Sequence, residues 1–303
     1  MPIDVKQFRQ SLTYATKSSI NQIITDLYEI AEIDRLAELK QQEYAKKALY
    51  YFLGIIISIV LLIVVFDIFT GTEVFFWLII LIIASILGLL IALITAFIKR
   101  SEFSRINIIN FRYQVTENIL QMLSRDISQS AEIKLNLSFK STEDNEHKIS
   151  TLPHPSKPGW QINNYQQEWI TIQGQFLDKT RFELSGTAIS KKQYGWKRGA
   201  SGKNKYKSKV KSLGLELHLN LSYSQRRYGA VKILQKEAVS AVKLPKFSEL
   251  RGLRVTDKSI QLVVRVAPSV AEKQEEVYQT VTAMFLSLYQ VLNLAKALSK
   301  QPS

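Results

Sequence analysis

The sequence predicts an α+β membrane protein. A two-helix transmembrane hairpin and a cytoplasmic helical stalk precede an antiparallel β-rich domain of about seven strands, a sandwich or open barrel, and a C-terminal helix closes the chain. Three observations carry this expectation. Two long uncharged apolar runs lie in the first third, the hydrophobic period becomes two after residue 130, and it returns to three-and-four after residue 268.

The apolar runs are residues 48–66 (ALYYFLGIIISIVLLIVVF) and 74–98 (VFFWLIILIIASILGLLIALITAFI), of 19 and 25 residues. About 20 such residues cross a hydrocarbon core, so each predicts a span. Lys40, Lys46 and Lys47 precede the first run, while Lys99, Arg100, Arg105 and Arg112 follow the second. The link from Asp67 to Glu73 holds two acids and no base. An excess of Lys and Arg marks the cytoplasmic side, so both termini are expected in the cytoplasm and link 67–73 outside. The polar first 47 residues lack the short apolar core of a cleavable signal. Ala84, Gly88, Ala92 and Ala96 recur every four residues in the second run, and Gly54 and Ser58 share that spacing in the first. Small residues let helix backbones approach closely in lipid, which predicts packing within the hairpin or along a homo-oligomeric seam. The absence of charge inside both runs gives no support to a proton relay or a polar ion pore.

Residues 1–47 predict a cytoplasmic amphipathic helix, from Val5, Phe8, Leu12, Ile20, Ile23, Ile24, Leu27 and Ile30. Residues 99–129 predict another, because Ile106, Ile109, Tyr113, Thr116, Leu120, Leu123 and Ile127 form the narrow seam of a coiled coil. The two are expected to pack as a stalk. Over 130–268 the apolar residues alternate. Ile133, Leu135, Leu137 and Phe139 share one face, as do Leu213, Leu215, Leu217, Leu219, Leu221 and Tyr223, and Ile260, Leu262, Val264 and Val266. Looser alternation marks 169–177, 180–190, 229–234 and 253–256. Such alternation predicts antiparallel strands with one buried and one wet face. Residues 141–166, with Pro153, Pro155 and Pro158, read as an irregular insertion. In 269–303, a capping box at Ser269 and Glu272 opens a helix whose apolar positions are Val277, Val281, Met284, Leu288, Val291, Ala295 and Leu298.

The chain carries a net charge of +14, and residues 191–211 (KKQYGWKRGASGKNKYKSKVK) supply nine positive charges of it with no acid. The bases are Lys191, Lys192, Lys197, Arg198, Lys203, Lys205, Lys207, Lys209 and Lys211, interleaved with Tyr194, Trp196 and Tyr206. Repulsion and three glycines predict a pliable, solvent-projecting loop, with Arg226 and Arg227 extending the patch. Anionic lipid headgroups, or a partner protein, are the ligands this composition suits, with nucleic acid as a further class. Within it GASGKN lacks the first glycine and the final Ser/Thr of a phosphate loop.

Catalytic material is sparse. There is no cysteine, and His147, His154 and His218 lack the paired spacing of a metal site. No cofactor motif is present, and the expectation is a non-enzymatic membrane anchor or scaffold. The order of elements, two spans and then a strand-rich domain, is similar in outline to the two-transmembrane β-rich effectors of bacterial cyclic-nucleotide defence systems. That resemblance implies a ligand-responsive, nucleotide-sensing effector as the alternative, and assigns no site residue.

Overall fold

The computed structural model describes residues 8, 10–69, 71, 73–104, 108–199, 202–229 and 231–299, without the side chains of 69 and 73. Val5, Arg105 and Ile106, named above, lie outside them, as do Ala200 and Ser201 of the GASGKN segment. The chain forms two compact units, Glu29–Ile108 and a second made of residues up to Tyr28 together with those from Ile109 onward.

The first unit is a helical hairpin. Helix α1 (Ile20–Phe69) contributes its residues from Glu29, and α2 (Glu73–Ser104) returns antiparallel to it. Phe66 meets Phe75 edge-on at 5.4 Å near the turn, and Tyr44 stacks on Phe103 at 5.8 Å near the base. Farther down, the buried Asp34 carboxylate accepts the Ile108 backbone N–H at 2.9 Å. The segment of α1 before the apolar run is therefore paired with the end of α2. Both helices are long and apolar enough to cross a membrane, and so is a third, Gln274–Leu298, beyond the two spans expected.

The six small residues predicted to pack do not act alike. A Cβ at Gly54 would lie 3.3 Å from Leu89 of α2, the Ser58 hydroxyl donates to the Gly54 carbonyl at 2.9 Å, and Ala96 is buried. Ala92 is half-buried, whereas Ala84 and Gly88 are exposed and nothing lies within 4 Å of a Cβ built at Gly88. A spacing of four drifts around a helix of 3.6 residues per turn, so one end of the stripe leaves the seam.

The second unit is mixed helix and antiparallel sheet. Its strands are β1 (Thr13–Ser19), β2 (Glu132–Ser138), β3 (Lys148–Pro153), β4 (Gln161–Gln175), β5 (Arg181–Arg198), β6 (Asn204–Ser222), β7 (Ser248–Val255) and β8 (Ser259–Val266). They form one sheet in the order β1-β2-β4-β5-β6-β8-β7, with β3 paired to the N-terminal half of β4, in place of the expected sandwich or barrel. Helices α3 (Asn110–Leu123) and α6 (Gln274–Leu298) pack on each other, and the short α4 (Gln225–Tyr228) and α5 (Gln235–Ala241) pack on α6. The alternating residues of β2, β6 and β8 are buried as predicted except Leu213, which is half-buried, and so are Val277, Val281, Met284, Leu288, Val291 and Ala295 of α6. Leu298 is exposed.

Several elements differ from expectation for identifiable reasons. Strand β1 replaces part of the predicted N-terminal helix, because Thr13, Tyr14 and Thr16 suit an edge strand that pairs along all of β2. Tyr14 then donates to buried Asp26 at 2.6 Å, joining strand to helix. The 141–166 insertion contains β3 and the start of β4, with its prolines at the strand end and turn. Within the predicted strand 229–234, Val231–Leu234 form a helical turn, and α6 starts at Gln274 without a side-chain cap, so the Ser269–Glu272 box is unused. The seam at Tyr113, Thr116, Leu120 and Leu123 is the buried face of 14-residue α3 rather than of a coiled coil. Three-and-four spacing describes either case, and length separates them.

Arg112, one of the bases counted as flanking charge, is buried at 4 % exposure. Its guanidinium donates to the carbonyls of Ser138 and Lys140 at 2.7 and 2.8 Å and to Gln167 Oε1 at 2.8 Å, and it lies 5.5 Å from the Trp169 ring. Burial pulls its pKa down to about 10, partly countered by Glu272, Glu143 and Asp144. Removing it would strand several buried acceptors at once. Arg112→Met is therefore expected to destabilise this unit by about 3 kcal/mol in denaturant unfolding of the full chain in neutral detergent. A loss below about 1 kcal/mol would show that those acceptors find other partners.

A basic, aromatic hairpin as candidate interface

Past Gly214, β6 loses its β8 partner and continues with β5 alone. Gly214 has φ +109°, and a Cβ there would lie 2.4 Å from the Val266 carbonyl oxygen, so no other residue fits. The β5–β6 register shifts at the same point, a bulge that takes Leu213 out of the alternation and turns the strand pair away. Residues 204–212 then run on for roughly 30 Å at the usual strand rise.

The predicted loop 191–211 is thus a paired hairpin whose open turn is confined to the residues between Arg198 and Asn204. In register, Lys191 faces Lys211, Gln193 faces Lys209, Gly195 faces Lys207 and Lys197 faces Lys205. Strand alternation puts Lys191, Lys197, Lys205, Lys207, Lys209 and Lys211 on one face. The other carries Lys192, Tyr194, Trp196, Arg198, Tyr206 and Val210. Lys203 lies in the turn, where Gly202 adopts φ +74°. Among the described residues no carboxylate lies within ion-pair distance of any of these nine bases.

Like charges opposite one another weaken a strand pair, so other contacts must hold this one. Trp196 packs edge-on against Tyr206 at 5.7 Å, and Tyr194 meets Tyr206 at 6.2 Å. Tyr194 also donates to Gln161 Oε1 on β4, and the Trp160 indole N–H donates to the Trp196 carbonyl at 3.1 Å. Trp196 and Tyr206 nonetheless remain 65 % and 54 % exposed. Aromatic side chains with one wet and one apolar side suit the headgroup level of a membrane. Arg226 and Arg227 do not join the patch. They sit on α4 beyond the opposite end of β6, separated from Lys211 by roughly 35 Å of strand.

The histidines are dispersed. His218 contacts Glu216 at 3.0 Å, and His154 Nδ1 accepts the Ser156 N–H. His147 joins Asp144 and Glu146 in an exposed group whose donor atoms lie within 4.8 Å, but Lys140 already neutralises Glu146 at 2.8 Å.

A second concavity, about 380 Å³, lies between the end of α3, α6 and the β4–β5 turn, lined by Met122, Phe176, Asp178, Phe285 and Tyr289 among others. No local sequence pattern marks it. Asp178 accepts the Tyr228 hydroxyl, the Tyr289 hydroxyl at 3.3 Å and the Thr180 N–H at 2.8 Å. Burial alone would raise this carboxyl, but the bonds from Tyr228, Thr180 and Tyr289 outweigh it and hold the group below its ordinary 3.8. A depressed folded value means that its stabilisation is complete above the unfolded value and fades as pH falls through the folded one. Asp178→Asn should therefore cost about 1–2 kcal/mol at neutral pH, with the gap to wild type closing below pH 3.8 in unfolding titrations. A gap constant with pH would assign the cost to packing.

Comparison with known proteins finds no family model, no curated protein and no solved structure that matches this chain.

Proposed function

We propose that this protein is a non-enzymatic integral membrane anchor whose β-rich unit grips anionic lipid headgroups through the hairpin. One observation carries the reading: six lysines share one face of an ordered hairpin, without acidic partners among the described residues, and exposed aromatics back them. Near an anionic leaflet each Lys or Arg contributes about 1 kcal/mol, so several acting together bind firmly at ordinary salt. A protein partner has less support, even though Asp26, Glu29, Glu32, Asp34, Glu38 and Glu43 of this chain would offer opposite charge. Asp26 is held by Tyr14 and Gln22, Asp34 by Ile108, Glu32 by Arg35, and Glu43 by Lys40 and Lys47.

For the anchor, α1 and α2 are the spanning helices. Only 6 % of the most apolar window in each is buried, against 44 % in α6, whose apolar face is already covered by its own unit. Apolar surface exposed on that scale calls for a lipid environment. The flanking bases put both termini in the cytoplasm.

Because the chain has no cysteine, single-cysteine labelling tests this arrangement directly. In intact cells or spheroplasts an impermeant maleimide should label Gly71→Cys and reach Ser128→Cys only after lysis. The reverse pattern, or equal labelling before lysis, would contradict it. For the headgroup contact, the full chain in neutral nanodiscs should capture anionic vesicles in a salt-sensitive manner. Replacing the six lysines of one face with Gln should weaken capture at least tenfold. Undiminished capture would remove the hairpin from the account.

A further inference from the structure

The lysine face of the hairpin is not flat. Trp160, in the turn joining β3 to β4, lies on it. A Cβ built at Gly195 would fall 2.6–2.9 Å from three ring atoms of Trp160, so that glycine is the space the indole occupies. The Trp160 N–H is fixed by the Trp196 carbonyl, and the Lys157 ammonium lies over the ring, 4.7 Å from its centroid. Beside the indole opens a recess of about 530 Å³ lined by Ser156, Lys157, Lys197, Lys207, Ser208 and Lys209, with no acidic residue among its walls.

We infer that this recess is a site for a phosphomonoester, a terminal phosphate bearing close to two negative charges and carried on a larger polar group. The inference rests on, and deepens, the reading of the hairpin as a headgroup-binding surface. Four lysines, with no carboxylate within ion-pair distance among the described residues, line one concavity, which rewards charge density more than charge number. A phosphomonoester offers −1.5 to −2 charges and three strong acceptor oxygens at neutral pH, whereas a phosphodiester offers one charge. Ammonium neighbours also favour the second ionisation, so binding itself drives the ligand toward its dianion. The Ser156 hydroxyl supplies a neutral donor. Gly195 and Lys157 already engage the Trp160 ring, so the indole serves as a floor that fixes an ammonium rather than as a platform for a nucleobase. The recess is far larger than a phosphate, which leaves room for a glycerol or polyol carrier. Neither the composition of 191–211 nor its charge count marks this site, because Trp160 and Lys157 come from the preceding turn.

The test is calorimetric, with the full chain in neutral detergent at about physiological salt, the regime in which bare surface charge is screened. The probes are dioctanoyl phosphatidic acid, dioctanoyl phosphatidylglycerol and free glycerol 3-phosphate. The recess should bind the phosphatidic acid at least tenfold more tightly than the phosphatidylglycerol. Lys207→Gln with Lys209→Gln should lower the phosphatidic acid affinity about tenfold and erase that preference. Lys191→Gln with Lys211→Gln removes the same charge from the same face outside the recess, and should keep the preference. Competition by glycerol 3-phosphate would assign the site to soluble phosphomonoesters as well as lipids, and its failure would assign it to lipids alone. Equal affinity for the two lipids, or equal loss from the two double variants, would overturn the recess while leaving the general headgroup surface standing. No binding of either lipid would overturn both.

Discussion

The close approach of Gly214 to the Val266 carbonyl is the constraint on which the β unit's division of labour depends. On one side of it, β6 is an interior strand between β5 and β8, and every second residue is a leucine buried in the core. On the other side the same strand has lost a neighbour and carries lysine at every second residue. A bulge with a positive-φ glycine lets one continuous strand pass from hydrophobic to electrostatic duty without breaking its pairing with β5. Arg112 acts at the matching position on β4, tying α3 to the end of β2 and to Gln167 where β4 passes from its β2-paired half to its β3-paired half.

The arm beyond that point solves a physical conflict. Nine positive charges so close together oppose compact structure, so eight are spread along two extended strands and Lys203 sits in the turn, where each charge reaches water on its own alkyl stem. Register comes from the uncharged residues between them: the Tyr194–Tyr206–Trp196 ladder, the Tyr194 bond to β4 and the seat of Trp160 on Gly195. The result has one cationic and one aromatic face, the combination a headgroup layer accommodates best. Salt should weaken the cationic contact and spare the aromatic one.

Much of this was legible in the chain. The apolar runs, the alternation of β2, β6 and β8 and the buried stripe of α6 follow from periodicity alone. The hairpin was legible as well: Lys203 to Lys211 alternate strictly with other residues, a period of two as regular as that of the leucines that follow. Like charge argued for a loop, and cross-strand aromatic pairing, which no local pattern reveals, prevailed. Strand β1 was obscured because only Tyr14 of its seven residues is buried, and the 229–234 alternation was too short to separate strand from turn. The cavity at Asp178 and the recess at Trp160 each bring together segments distant in sequence, so neither has a local signature.

The proposed role requires strands 191–198 and 204–211 to be ordered and an anionic membrane to engage them. Hydrogen–deuterium exchange of the full chain, compared on neutral and on anionic nanodiscs, tests both halves together. Protected amides are expected in 191–198 and 204–211 on neutral lipid, with slower exchange there on anionic lipid. Exchange at random-coil rates, or identical rates on the two lipids, would contradict it.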